Sequence, residues 1–446
     1  MTAPMKRLAV VDFVMSAGGV ERVLRGLARA FLEIPEARGW DITFLLARYN
    51  SARHRAEWPT ELTGPNLRVE WLGEANAVSR TLDDLAHVQG VAGIRASRIP
   101  GWAFAKAVQR VGPLGWRAAL GDPYGLVAEA SRRFDLLYLP YPFWMGAPPV
   151  KVPVVTTPQD FNFKFFQKEG TFARWMLERS TRAWLERANR VLLSSHAVEN
   201  ELRHFYPDFV GKTQVVPLGI DHRAPPSPEA IEQVRTARRL PPKFLLVSGW
   251  IVPHKNQKIV IEAVAALRDR GGGLPIVFVG PNTAHLGDGP APGFRTPFVD
   301  EVQGALRAAG LVLGKDYFAL GYVSDAEVQA LLRLATIFVC PSTYEGFGLP
   351  GLEAMLARCP VILSRIPPLE EQSRLLGGTV AMFDPRSSAE LADRIAGLLA
   401  DPDATAANAA LLADRVASVY DWRKTARSYL AHFDEILAER REGRPT

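Results

Sequence analysis

The sequence predicts an α/β protein of two doubly wound domains, each built on a parallel sheet. Three observations carry that reading. The chain has 446 residues, more than one core ordinarily serves, so two domains of roughly 200 residues each are expected. Short apolar runs alternate with longer stretches of helical period, the pattern of repeated strand–helix units. These runs fall into two series of six on either side of a proline-rich stretch, "DHRAPPSPEA", which reads as a linker.

In the first series the strand candidates are "LAVVDFV" (8–14), "ITFLL" (42–46), "DLLYL" (135–139), "VPVVT" (152–156), "VLLS" (191–194) and "QVVP" (214–217). The second comprises "FLLVS" (244–248), "IVFVG" (276–280), "YFAL" (317–320), "TIFVC" (336–340), "PVIL" (360–363) and "TVAMF" (379–383). Residues 73–130 break the pattern: no strand is evident, and Trp102, Phe104, Lys106, Arg110, Trp116 and Arg117 lie among glycines and prolines. That segment reads equally as a grip on an anionic membrane surface or as an insertion packed over Trp102 and Trp116. The tail "YDWRKTARSYLAHFDEILAERREG" is an amphipathic helix with Trp422, Ala426, Tyr429 and Phe433 on one face.

Composition narrows the function. With 48% hydrophobic and 22% charged residues the chain is globular rather than disordered. A formal charge of +6 suits phosphates or lipid headgroups. Nucleic acid is not an expected partner, because arginine–aromatic repeats, zinc-finger spacing and a basic tail are all missing. Cys340 and Cys359 are too few for a disulfide framework and are not spaced for a metal, which fits a reducing cytoplasm. The N-terminal segment has neither a long apolar core nor a cleavage site, and no run reaches membrane-spanning length. A cytoplasmic protein is expected, with a surface association to membranes left open.

Chemistry concentrates in "TYEGFGLPGLEAM" (343–355), where a strand gives way to a helix. Open α/β sheets bind ligands beyond the carboxyl ends of their strands, at helix N-termini. Gly346 and Gly348 let backbone N–H groups approach an anion, and Pro350 is expected to be the first helical residue. Glu353 then falls in the first turn, placed to accept hydrogen bonds from a ribose diol, while Glu345 faces whatever the phosphates carry. Taken singly, either glutamate also reads as an ordinary helix-start or loop carboxylate.

"EGFGLPGLE" resembles the E-x7-E signature of retaining GT-B glycosyltransferases, particularly glycosyltransferase family four. The resemblance extends over nearly the whole chain. "SAGGVERVLRGLARAF" (16–31) is similar to the family's first strand-to-helix turn, "SGWIVPHKNQKIVIEAV" (248–264) to the first turn of its donor domain, and "LGYVSDAEVQALL" (320–332) to its base-binding segment. It implies two Rossmann-like domains facing a cleft. The acceptor-binding domain would span 1–222, with its variable insertion at 73–130. The donor-binding domain would span 223–416, and a helix over 417–446 would return to the N-terminal domain.

By the same resemblance, Gly18 and Gly19 approach the donor phosphate or the acceptor, and Lys255 binds the donor diphosphate with His254 beside it. Backbone groups near Tyr322 and Val323 read the nucleobase. Glu345 holds the transferred sugar and Glu353 the ribose, while Gly346, Phe347, Gly348 and Leu349 line the phosphate turn. Gln159, Asp160 and Arg22 are assigned to the acceptor, and Glu345, Lys255 and Asp160 to catalysis. As local chemistry, Arg22 reads equally as the wet face of a helix, and Ser324 with Glu327 as a capping box.

Two departures from the family stand out. Many relatives carry an arginine where this chain has Trp250 or His254; here His254, able to take a charge near neutral pH, or a more distant arginine is expected to assist. Relatives carry His-Asp where this chain has Gln159-Asp160, and a glutamine does not titrate.

The implied activity is a retaining hexosyl transfer, with a mannose-like sugar favoured. It runs from a GDP- or UDP-linked donor to a hydroxyl on a saccharide or lipid-linked acceptor. The sugar nucleotide is a co-substrate and no other cofactor is expected. No Asp-x-Asp motif calls for a metal. Rival readings are a non-catalytic sugar-nucleotide binder and an epimerase of the same fold. A dinucleotide-dependent dehydrogenase is disfavoured because "FVMSAGGVER" lacks the G-x-G-x-x-G spacing.

Overall fold

The computed structural model describes residues 5–12, 19–47, 58–72, 126–141, 147–167, 169–221, 225–287, 289 and 297–442. Gly18 and residues 73–125, with the aromatic and basic side chains singled out there, lie outside the described residues. The chain forms two compact units. Unit 1 comprises Met1–Gly219 with Asp421–Thr446, and unit 2 is Ile220–Tyr420.

In chain order, unit 1 runs β1 (Lys6–Asp12), α1 (Gly19–Glu33), β2 (Trp40–Ala47), β3 (Leu67–Leu72), α2 (Leu126–Arg133), β4 (Leu136–Leu139), β5 (Val154–Thr156), α3 (Phe163–Phe166), α4 (Phe172–Arg187), β6 (Arg190–Leu193), α5 (His196–Phe205) and β7 (Thr213–Val215). Its sheet has the order β3-β2-β1-β4-β5-β6-β7, every pair parallel. The expected series of six is therefore seven. The strand missed in sequence is β3, "LRVEWL", at the sheet edge. A buried parallel strand reads as a continuous apolar run, but β3 alternates. Arg68 pairs with Asp41 at 2.7 Å, and Glu70 takes Arg133 of α2, also at 2.7 Å.

Unit 2 continues with α6 (Pro228–Ala237), β8 (Leu245–Ser248), α7 (Gln257–Asp269), β9 (Ile276–Val279), α8 (Pro297–Ala308), β10 (Tyr317–Ala319), α9 (Asp325–Leu334), β11 (Ile337–Cys340), α10 (Leu349–Leu356), β12 (Val361–Ser364), α11 (Pro367–Leu375), β13 (Ala381–Phe383), α12 (Ser388–Ala400) and α13 (Pro402–Val419). Its strand order, β10-β9-β8-β11-β12-β13, reverses direction between β8 and β11. Both faces of this sheet are covered: Leu245, Val247, Phe278, Ile337, Val339 and Ile362 are buried on one side, and Leu246, Val277, Phe338 and Leu363 on the other. Part of the stretch expected to be linker is helical: Ser227 accepts from the Ala230 N–H and opens α6 at Pro228.

The last helix, α14 (Trp422–Arg441), belongs to unit 1. Trp422, Ala426, Tyr429 and Phe433 are all buried, as their spacing predicts. The Trp422 indole lies directly on Gly26, while Gly219 abuts the Trp422 backbone and the base of its ring, and a Cβ at either position would run into that residue. Tyr429 meets Tyr138 edge-on at 5.4 Å, and Phe433 lies 6.1 Å from Trp40. Each such aromatic removes 150–250 Å² from water, so the helix is part of the core of unit 1. Lys6 and Asp434 add an ion pair at its rim. Among the described residues no helix is long and apolar enough to cross a membrane.

Candidate functional site

The reversal of strand order between β8 and β11 is where an open α/β sheet leaves a crevice at its carboxyl edge. Both loops there carry charge. After β8 the chain makes a short 3-10 turn, Pro253–Lys255, then enters α7 through Asn256 in the left-handed conformation, φ 54° and ψ 37°. After β11 the loop carries Glu345 back toward that turn. Lys255 Nζ lies 2.6 Å from Glu345 Oε1, with the two side chains 19% and 11% exposed. The buried hydroxyl of Ser342 donates to the same oxygen at 2.7 Å. Both donors converge on Oε1.

Burial alone would raise the Glu345 carboxyl. The Lys255 ammonium and the Ser342 hydroxyl outweigh it and hold the group below its usual value, so it stays ionised. Burial, with the Lys255 charge as second cause, pushes His254 down to about 4, although Glu345 pulls the other way. The expectation that His254 carries charge near neutral pH is therefore corrected. Of the two residues assigned to the diphosphate at this turn by sequence, Lys255 is the one that pairs with Glu345. Cys340, behind Glu345, is driven up to about 11 by burial and by the carboxylate, and stays a thiol.

The glycine turn is held from below. Gly348 caps α10 with φ 90° and ψ 42°, a region that L side chains avoid. A Cβ there would also come within 2.5 Å of Leu369 on α11. Gln372 of the same helix donates to the Phe347 carbonyl, and Ser364 at the end of β12 donates to the Ser342 carbonyl. Leu349, not Pro350, begins the helix, and Pro350 is its second residue. Glu353 is thus the fifth helical residue, half-buried in the second turn rather than in the first, because the left-handed Gly348 lets the helix start one residue early.

The ends of β9 and β10 are sewn together: the Gly280 N–H donates to the Gly321 carbonyl at 2.8 Å, and the Gly321 N–H to Thr283 Oγ1 at 2.9 Å. Tyr322 then points outward, 66% exposed, and Val323 points inward. The capping box at Ser324 and Glu327 forms as read, and Arg238 pairs with Glu327 at 2.6 Å. Trp250, after β8, is 49% exposed.

In unit 1 the sequence-predicted residues lie on two separate elements. Gly19 begins α1 and is exposed, and Arg22 is half-buried one turn on. Gln159 and Asp160 follow β5. The Gln159 amide donates to the Pro140 carbonyl at 2.7 Å, and Asp160 Oδ1 accepts the Asn162 N–H at 3.0 Å, an Asx turn that leads into α3.

Sequence reasoning missed Ser342, Asn256 and Gln372. A serine three residues before Glu345 at a strand end was the one available signal; the other two act across long separations. Among the described residues no cluster of three or more His, Cys, Asp or Glu side chains is placed to hold a metal.

Two family models account for most of the chain. Glycosyltransferase Family 4 matches residues 17–224, and Glycosyl transferases group 1 matches residues 230–411. The chain belongs to the family-four GT-B glycosyltransferases. Curated relatives of this family-four chain include the GDP-mannose:cellobiosyl-diphosphopolyprenol alpha-mannosyltransferase of Komagataeibacter xylinus. It is 31% identical over 208 residues, covering 45% of this chain and 47% of the relative. A glycogen synthase of Mycobacterium tuberculosis is 30% identical over 256 residues, 56% of each. The match thus spans about half the length of these relatives. Among solved structures, Anabaena HepE in complex with UDP and glucose superposes with a TM-score of 0.66 at 18% identity, covering 96% of this chain and 100% of that one. Sucrose-phosphate synthase from Thermosynechococcus elongatus gives 0.65 at 19% identity, covering 97% and 99%. At these identities the likeness establishes the fold.

Proposed function

We propose that this family-four protein is a retaining hexosyltransferase. It would move a hexose, mannose-like by preference, from a GDP- or UDP-linked donor to a hydroxyl of a saccharide or lipid-linked acceptor. The observation that carries the reading is the Lys255–Glu345 pair at the strand reversal of unit 2, beside the Gly348-capped start of α10. A departing nucleoside diphosphate develops negative charge, and fixed cations and helix dipoles aimed at it supply the largest share of catalysis. Lys255 and the N–H groups at Gly348 and Leu349 fit that task, and in this reading no metal is required to complete it.

In this reading Glu345 Oε2 holds the transferred sugar while Oε1 pairs with Lys255. Glu353 takes the ribose hydroxyls, and Tyr322 and Val323 border the base. Unit 2 takes the donor and unit 1 the acceptor, with Gln159, Asp160 and Arg22 orienting the incoming hydroxyl. Neutral Gln159 suits orientation rather than proton transfer. The mannosyl preference leans on the curated mannosyltransferases to which the chain is similar.

The test is thermal unfolding with GDP, UDP, ADP and NAD in turn, for the wild type and for Glu353→Ala. A ligand at a hundred times its Kd adds about 2.7 kcal/mol. A shift with GDP or UDP alone, lost in the variant, supports the reading and identifies the base. A shift with NAD, or none at all, sinks it. Anomeric analysis of the transferred sugar then decides retention, and activity in a chelator decides metal independence.

A further inference from the structure

We infer that Asn256 is a positioning residue for Lys255: its amide, in the left-handed turn directly after the lysine, bridges the loops that follow β11 and β13 and so fixes the ammonium against Glu345. The kinetic consequence rests on the donor role proposed for Lys255; the geometry does not.

Asn256 Nδ2 donates to the Pro341 carbonyl at 3.1 Å and to the Pro385 carbonyl at 2.8 Å, residues 85 and 129 positions away in the chain. One amide nitrogen thereby spends both of its hydrogens on two separate loops. On the other side of Lys255, the His254 carbonyl accepts from Thr343 N at 2.7 Å and from Thr343 Oγ1 at 3.3 Å. The turn is thus tied on both flanks of the lysine to the loop that carries Glu345.

The orientation of the side chain is informative. An asparagine that precedes a helix usually accepts from the first helical N–H groups. Here no side-chain cap bond forms, although Asn256 stands at the cap position of α7. The amide turns away from the helix and donates to carbonyls instead. The position makes two demands: a backbone at φ 54° and two donors pointing at carbonyls. Glycine meets the first alone, and so does aspartate, whose oxygens would face two carbonyl oxygens. Asparagine meets both. A flexible four-carbon stem reaches a fixed point only if its base is fixed, and a misplacement of about 1 Å at a catalytic group costs about a hundredfold in rate.

The test uses Asn256→Gly and Asn256→Asp in the full chain, since both keep the left-handed backbone available. The first readout is the rate at which Lys255 is acylated by a small succinimidyl ester, followed by peptide mass spectrometry, with exposed Lys243 as internal reference. Release of the ammonium from its pair speeds acylation several-fold in both variants while Lys243 is unchanged. The second readout is transfer: kcat falls about ten- to a hundredfold, and Asn256→Gly costs nothing further in a Lys255→Ala background.

A lowered Tm with unchanged Lys255 acylation makes Asn256 a structural brace only and overturns the inference. So do kinetic losses that multiply in the double variant. If no nucleoside diphosphate stabilises the wild type, the donor reading fails, and the acylation rates still decide the role of Asn256.

Discussion

The loop after β11 in unit 2 is held by its surroundings, whereas the loop after β5 in unit 1 is held largely by its own chain and its nearest neighbour. Glu345 takes bonds from Lys255 and Ser342, and Gln372 and Ser364 brace the backbone around it from two further elements. Asp160 closes a turn on Asn162, and Gln159 reaches only to the end of the adjacent strand. The difference follows from charge. A buried carboxylate needs a cation and a hydroxyl to remain ionised, because desolvation otherwise neutralises it. A neutral amide needs a single partner. The loop after β11 is therefore organised around a braced charge pair, and the loop after β5 around a local turn closed by Asp160.

Removing the cation breaks the comparison most directly. Lys255→Ala is expected to lower kcat by about two to three orders of magnitude, the cost of deleting one preorganised group at a developing charge. Steady-state transfer from the preferred sugar nucleotide checks it. A loss below fivefold would mean that the array is not preorganised for the leaving group.

The acid limb of stability sharpens it next. Folded His254 sits near 4 against an unperturbed 6.5. Between those values the unfolded chain holds the extra proton, so His254 destabilises the fold progressively as pH falls from 6.5 to 4. Glu345 lies below its usual 4.5, so its contribution is present above 4.5 and lost as pH falls through the folded value. His254→Gln should remove the upper part of this limb, worth roughly 2–3 kcal/mol by pH 4, in urea titrations at stepped pH. An unchanged limb would show that His254 is not held neutral.

Gly348→Ala comes third. Left-handed backbone and the approach to Leu369 together cost about 2 kcal/mol of stability, and nucleotide-induced stabilisation should shrink with them. The smallest effect belongs to unit 1. Asp160→Asn retains an acceptor for the Asn162 N–H and should shift Tm by no more than about 1 °C, while transfer falls about tenfold if the carboxylate orients the acceptor. A large loss of stability there would mean that the acceptor loop is as tightly specified as the donor loop.

Much of this was legible in sequence, and the reasons are specific. All six strands of unit 2 were read because β8 to β13 are short apolar runs in a sheet covered on both faces. β3 was not, because an edge strand that alternates Arg68 and Glu70 with apolar residues does not resemble a buried one. The E-x7-E spacing located Glu345 and Glu353, but not the depth of Glu353, since helix onset depends on the backbone at Gly348. His254 looked like a cation because a histidine beside a lysine does so on paper; its burial is a tertiary fact. Asn256 escaped for the same reason, its two carbonyl partners lying 85 and 129 residues away.

The route of the chain also sets an order of events. Unit 2 is spelled out in one uninterrupted stretch, Ile220–Tyr420, between the two parts of unit 1. On a ribosome adding about 5–20 residues per second, the residues of all seven strands are made about ten to forty seconds before Trp422. Throughout that interval Gly26, Trp40 and Tyr138 lack the helix that covers them in the complete chain. The half that is begun first is therefore the half that is finished last, and in a newly made molecule unit 1 is the part that needs protection from aggregation.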